Sequence, residues 1–121
     1  MIPEITKDNI SIDPDIQVDA DIGQEILVYI ETWFDVESKF GIVLDDDDTW
    51  LNMYGRYNPF ADTLHIECEI SRQYDSDFFD YSPSESEAAA IREMIREEIV
   101  RLYHQTPEEF CTSFSDNFSL K

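Results

Sequence analysis

Basic residues are scarce in this chain of 121 residues. Lys and Arg total 8 against 28 Asp and Glu, which gives a formal net charge of −20 at pH 7. Without a basic patch a protein cannot offset its repulsion from phosphate groups, so the charge argues against direct binding of nucleic acid. The charge is also far larger than solubility requires, and self-repulsion at this level costs stability.

Cysteine and long apolar runs are also lacking. Cys68 and Cys111 are too few for a disulfide scaffold, and we interpret them as buried thiols in a reducing compartment. The first ten residues have neither the basic nor the apolar region of a signal peptide, and no apolar run approaches the length of a membrane span. These absences predict a cytoplasmic protein that does not contact a membrane.

No stretch carries a catalytic signature, a metal-ligand spacing or a phosphate-binding loop. The segment 19–23 alternates Asp as a calcium loop does, but its Gly falls outside the EF-hand register. His65 and Cys68 are three apart on a predicted strand, so they point to opposite faces and cannot share a zinc ion. Paired carboxylates are too common here to nominate an acid and a base. We therefore expect no enzyme activity, no cofactor and no metal.

What the chain does contain supports one folded domain over residues 1–121, because 42% of its residues are hydrophobic. The clearest helix runs from Ser82 to Gln105. Ser82 is the predicted N-cap, Pro83 the first helical residue and Glu85 the acid of a capping box. One face is apolar at steps of three and four: Ala88, Ile91, Ile95, Ile99, Leu102 and Tyr103.

A second short helix is predicted from Pro107 to about Phe114. Thr106, Pro107 and Glu109 repeat the order of cap, Pro and Glu that begins a helix. We expect this helix to fold back on the core and to bury Phe110 and Phe114.

Period-two alternation predicts the strands. The segment 10–22 alternates Ile with Asp and is broken by Pro14, which favours an edge strand or two short extended pieces. The segment 25–34 is the strongest strand, and 35–41 is a turn of helix or a loop. Segments 49–57 and 63–71 flank a five-residue loop and form a hairpin with one wet, aromatic-rich face. The fold expected is α+β: an antiparallel sheet of three to four strands with the long C-terminal helix and the short helix packed on one face.

The acidic residues show a regular spacing. On a strand, residues two apart point the same way and lie roughly 6.6 Å apart. Asp13 with Asp15, Asp19 with Asp21 and Glu67 with Glu69 would therefore repeat at nearly the spacing of phosphates along a nucleic-acid strand. Proteins that bind DNA or RNA gain much of their affinity from Lys and Arg at phosphates, and a rigid polyanion can occupy the same groove.

In size, acidity and distribution of aspartates the chain resembles the DNA-mimic inhibitors of phages and mobile elements, the anti-CRISPR and anti-restriction proteins. The resemblance implies a basic, nucleic-acid-binding partner, a Cas nuclease such as Cas9 or a restriction enzyme, bound at its DNA-binding or PAM-reading surface. Acids would contact Arg and Lys of the partner, with an aromatic side chain as an apolar anchor. The expected contact residues are Asp13, Asp15, Asp19, Asp21, Asp45, Asp46, Asp47, Asp48, Glu67, Glu69, Asp75, Asp77, Asp80, Phe78 and Phe79.

Other interpretations fit the same composition. An immunity or antitoxin-like protein that neutralises a basic toxin needs a similar acidic surface but covers an active site. An acidic adaptor, a halophile-type domain and an unrecognised enzyme stay open as well. For the aromatic segment 74–81, the alternative to a partner anchor is packing under the start of the long helix.

Overall fold

The computed structural model describes residues 2–19, 24–44 and 48–119, with side chains described as far as residue 113. These ranges form six strands and three helices. In chain order they are β1 (Ile10–Ile12), β2 (Gln17–Val18), β3 (Ile26–Thr32), α1 (Val36–Phe40), β4 (Trp50–Asn58), β5 (Thr63–Ser71), β6 (Ser76–Tyr81), α2 (Glu85–Tyr103) and α3 (Pro107–Ser119).

The strands form one antiparallel sheet in the order β1-β3-β4-β5-β6, and β2 pairs with β3 as well. The break at Pro14 separates β1 from β2, which matches the second of the two predicted arrangements, two short extended pieces. The predicted α+β class is confirmed, but the predicted three to four strands are too few. The prediction missed β6 because Phe78 and Phe79 are adjacent, which hides the period of two in a segment rich in Asp.

The β4–β5 hairpin forms the centre of the sheet. Its register runs from Trp50 opposite Ser71 to Asn58 opposite Thr63, so the loop has four residues and not five. The Asn58 side chain accepts hydrogen bonds from the backbone N–H of residues 60 and 61 at 3.0 and 3.1 Å, which fixes the turn. At Gly55 a Cβ atom would lie 2.9 Å from Val28 Cγ2, so the side-chain packing on β3 requires glycine there.

The hydrophobic core lies between the sheet and α2. Ile91, Ile95 and Ile99 are fully buried, as their helical spacing predicted. They pack with the inward side chains of the strands, among them Ile30, Met53, Tyr57, Ile66 and Cys68. Every helix therefore lies on the same side of the sheet or packs on a helix that does.

The long helix begins two residues later than predicted. Ser84, not Ser82, is the N-cap, and Glu87, not Glu85, completes the capping box. Ser82 with Glu85 and Ser84 with Glu87 both match the Ser–x–x–Glu pattern of a capping box. The tertiary contacts of Glu87 favour the second pair. The end is close to the prediction, with His104 in the left-handed conformation (φ 55°) as the C-cap.

The second helix begins where the sequence predicted it. Thr106 and Glu109 form a reciprocal capping box, with distances of 2.9 and 3.1 Å. The helix continues to Ser119, five residues beyond the prediction. Phe110 is half-buried against Tyr103, with ring centroids 4.7 Å apart, whereas the Phe114 side chain lies outside the described residues.

One buried ion pair joins the N-terminal segment, α1, β6 and α2. Lys39 Nζ lies 2.6 Å from Glu87 Oε2, and each side chain is only 4% exposed. Glu87 also accepts hydrogen bonds from Ile5 N–H (2.8 Å), the Tyr81 hydroxyl (2.6 Å) and Ser84 N–H (3.0 Å). Lys39 in turn donates to the carbonyl oxygen of Pro3 at 2.6 Å. Both buried charges are therefore paired and hydrogen-bonded, as burial requires.

This pairing sets the ionisation of Glu87. Burial alone would raise the pKa of Glu87, but the donors Ile5 N–H, Lys39, Tyr81 and Ser84 N–H outweigh it and lower the pKa to about 2. Because the folded pKa lies below the unfolded one, Glu87 contributes stability above the unfolded value near 4.5, and this contribution is lost as the pH falls toward 2.

No helix among the described residues is long and apolar enough to cross a membrane.

We predict that Glu87→Gln lowers the free energy of unfolding by about 3–5 kcal/mol at pH 7, because it leaves the Lys39 ammonium buried without a counter-charge. The difference between wild type and variant should shrink by about 3 kcal/mol between pH 6 and pH 2, where wild-type Glu87 loses its own charge. Urea denaturation at a series of pH values measures both quantities.

Glu109→Gln is the matched control, since Glu109 holds the same capping-box position at the start of α3 but is exposed. It should destabilise the fold far less than Glu87→Gln. Equal losses of unfolding free energy for the two substitutions would show that the buried ion pair stabilises the fold no more than a capping box does.

Candidate partner-binding face

The two faces of the sheet differ in what covers them. The helices pack on one, and no helix in the described ranges packs on the other, which we call the outer face. Strand alternation assigns its side chains. They are Leu27, Tyr29 and Glu31 on β3, Trp50, Asn52, Tyr54 and Arg56 on β4, His65, Glu67 and Glu69 on β5, and Phe78 and Asp80 on β6.

Strand register places Tyr29, Tyr54, Glu67 and Asp80 in one row across four strands. The two tyrosine rings meet edge to face, with centroids 5.7 Å apart and an interplanar angle of 67°. Aromatic and acidic side chains from distant parts of the sequence thus become neighbours on a rigid sheet.

Hydrogen bonds hold both tyrosines. The Tyr29 hydroxyl donates to Asn52 Oδ1 and the Tyr54 hydroxyl to Glu69 Oε1, each at 3.0 Å. Burial, and then the Glu69 hydrogen bond, raise the pKa of Tyr54 to about 12, so its ring stays neutral. Hydrogen bonds from Ser76, Asn52 and Tyr54 lower the pKa of Glu69, which therefore keeps its negative charge.

A groove of about 550 Å³ crosses the outer face between two rows of side chains. Leu27, Arg56 and His65 form one side, and Tyr29, Tyr54 and Glu67 form the other, while Asp15 and Gln17 lie at the β2 end. The two rows are two residues apart along each strand, so they are roughly 6.6 Å apart. The volume is within the range of ligand sites, about 300–1,000 Å³.

Basic side chains do not leave free positive charge on this face. Arg56 Nη1 lies 2.7 Å from Asp19 Oδ2 and 3.1 Å from Glu25 Oε1, so two carboxylates surround one guanidinium. His65 Nε2 lies 3.1 Å from Asp80 Oδ1. Each Lys and Arg of the described part of the chain pairs with a carboxylate: Lys7 with Glu93, Lys39 with Glu87, Arg56 with Asp19, Arg72 with Asp77, Arg92 with Asp62, Arg96 with Glu108 and Arg101 with Glu98.

The structure brings several predicted contact residues together. Glu67 and Glu69 lie two apart on β5 and point outward, and Phe78 and Asp80 of β6 lie opposite Glu69 and Glu67. Phe78 is 59% exposed. These four residues share the outer face, and Asp15 lines the groove on it.

The predicted strand-like spacing of Asp13 and Asp15 is wrong. They flank Pro14 in the link between β1 and β2, where Asp15 N–H donates to Asp13 Oδ1 at 2.8 Å in a local turn. Asp19 borders the groove through its ion pair with Arg56. Asp21, Asp45, Asp46 and Asp47 lie outside the described residues.

The remaining predicted residues lie elsewhere. Asp75 and Asp77 pair with Arg72 near the start of β6, and Asp48 is exposed before β4. Phe79 points to the inner face, where its ring contacts Phe40 with centroids 5.6 Å apart. Phe79 packs on the core, so the expectation that it anchors a partner is withdrawn, whereas Phe78 stays exposed.

The sequence predicted a wet, aromatic-rich face on the hairpin of segments 49–57 and 63–71. It did not nominate the groove residues Tyr29, Tyr54, Arg56 and His65 as contact residues. Alternation could have identified Tyr29 and Tyr54 as aromatics that point away from the core face of their strands. The groove itself depends on the register between β3, β4 and β5, which alternation does not determine.

Comparisons with protein-family models, curated proteins and solved structures gave no significant match to this chain. Within the ranges that the structure describes, no three His, Cys, Asp or Glu side chains are arranged to hold a metal ion.

We predict that Phe79→Ala lowers the free energy of unfolding by about 2–3 kcal/mol, because its ring packs on Phe40 and the core. Phe78→Ala removes the same atoms from the outer face and should cost less than about 1 kcal/mol. Thermal and urea denaturation of the two variants measure the difference. A larger cost for Phe78→Ala would contradict the assignment of the two faces.

Proposed function

We propose that this protein is an acidic inhibitor that mimics DNA and binds the DNA-binding or PAM-reading surface of a nuclease in the host-cell cytoplasm, as anti-CRISPR and anti-restriction proteins do. The observation that carries the proposal is the charge left after internal pairing. Each described cation already has a carboxylate partner, so the surplus negative charge is available to another molecule. A basic, nucleic-acid-binding surface has the complementary charge.

The outer face supports the proposal by its rigidity. Glu67 and Glu69 project from a central strand, and β4 and β6 flank it on either side. Their separation of roughly 6.6 Å is near the spacing of phosphates on a nucleic-acid strand. Carboxylates fixed on a sheet lose little conformational entropy on binding, unlike those on a flexible tail.

The exposed aromatics favour a protein partner. Phe78 and Trp50 are 59% and 48% exposed on the outer face beside the acids. Aromatic side chains surrounded by polar residues are typical of protein interfaces and of their energetic hot spots. The protein acts in this proposal by stoichiometric binding and without catalysis.

A gel-shift competition tests the proposal. A type II Cas nuclease loaded with guide RNA, or a restriction enzyme, is incubated with labelled target DNA, and the protein is added before or after the DNA. We expect loss of the shifted band when the protein is added first, because it then occupies the DNA site. The apparent affinity should fall steeply between about 50 mM and 300 mM salt, since screening weakens attraction between charged surfaces.

Charge-neutral variants locate the contact. Glu67→Gln combined with Asp80→Asn removes two charges from the outer face and should raise the inhibitory concentration about tenfold. Asp8→Asn combined with Glu85→Gln removes two exposed charges from outside that face and should change it less than threefold. Equal losses would show that net charge, and not this face, governs inhibition.

Unchanged DNA binding by the nucleases would overturn the proposal. If DNA binding by a panel of Cas nucleases and restriction enzymes is unaffected in either order of addition, DNA mimicry fails. Protection of the host from a basic toxin would then favour the immunity-protein interpretation.

A further inference from the structure

The two ends of the groove on the outer face differ in their charged and aromatic side chains. At the β2 end Arg56 is drawn toward Asp19 and Glu25 by its ion pairs. At the β5 end Glu67 stands beside Tyr54, and Asp80 of β6, which lies opposite Glu67, pairs with His65 of the other groove wall. The β5 end is therefore both acidic and aromatic.

Glu67 has no hydrogen-bond or ion-pair partner within the described ranges, although it is only partly exposed. Its neighbour Glu69 by contrast accepts hydrogen bonds from Asn52 and Tyr54. Of the two carboxylates on β5, Glu67 is the one with both oxygen atoms available to a donor from another molecule.

We propose that the β5 end of the groove binds the guanidinium group of an arginine side chain, which stacks on the Tyr54 ring and donates to the Glu67 carboxylate. The inference rests on the proposed function and names the chemical group of the basic partner that enters this site. The groove is negative and its side wall is aromatic, which matches a planar cation.

Arginine fits this site better than lysine for two reasons. A guanidinium is planar and stacks on an aromatic ring, and it can donate two parallel hydrogen bonds to one carboxylate. The hydrogen bond from Tyr54 to Glu69 fixes the ring that such a cation would meet. Repulsion from Arg56 is limited because Asp19 and Glu25 together exceed its charge.

The test uses the whole protein and three neutral-ended peptides, acetyl-Gly-Xaa-Gly amide with arginine, lysine or citrulline in the middle. Titrations are followed by the amide signals of ¹⁵N-labelled protein. We expect saturable shifts at Tyr54, Gly55 and Glu67 with the arginine peptide, at least threefold weaker binding of the lysine peptide, and no saturation with citrulline, which has the shape but not the charge.

Matched variants separate the two contacts. Glu67→Gln and Tyr54→Leu should each weaken arginine binding at least threefold. Tyr54→Phe, which keeps the ring but loses its hydrogen bond to Glu69, should weaken it less than Tyr54→Leu, and Glu85→Gln, which removes a distant charge, should leave it within twofold. Equal shifts with arginine and lysine, or shifts spread evenly over the acidic surface, would overturn the inference. The gel-shift result is independent: displacement of DNA without arginine binding in the groove would retain the inhibitor and reject the arginine site.

Discussion

The buried carboxylate of Glu87 is the constraint on which the arrangement of the helical layer depends. It accepts hydrogen bonds from the N-terminal segment, β6 and the start of α2, and it pairs with Lys39 of α1. A charge in this position is stable only if all of these donors are in place together. Four segments that the sequence separates by up to 82 residues are thereby fixed relative to one another on one side of the sheet.

These contacts lie on the inner side, whereas the outer face has polar contacts of its own, which join Tyr29 to Asn52, Tyr54 to Glu69, and Arg56 to Asp19 and Glu25. Lys7, Lys39, Arg92, Arg96 and Arg101 pair on or against the helices, whereas Arg56 and Arg72 pair with carboxylates of the sheet and its connections. The Lys and Arg side chains of the described ranges are thus used for internal pairing. Self-repulsion among the other acids costs stability, and the buried core must offset that cost.

The sequence predicted features that depend on local spacing and missed those that depend on tertiary contact. The apolar face of α2 followed from the spacing of Ile91, Ile95 and Ile99. Alternation broken by Pro14 predicted either one edge strand or two short pieces, and the two pieces are β1 and β2. The start of α2 could not be chosen locally, because Ser82 and Ser84 each have a glutamate three residues later. The contacts of Glu87 with Ile5, Lys39 and Tyr81 favour the second cap.

The acidic surface and the groove differ in the range over which they act. Attraction between a polyanion and a basic partner extends over about a Debye length and weakens with salt, so it brings many basic proteins close without distinguishing them. Contacts with a tyrosine ring and one carboxylate act at van der Waals distance and are less easily screened. In the proposed function, charge, which composition already reveals, would govern encounter, and selectivity among basic partners would depend on the register that sets Tyr54 beside Glu67.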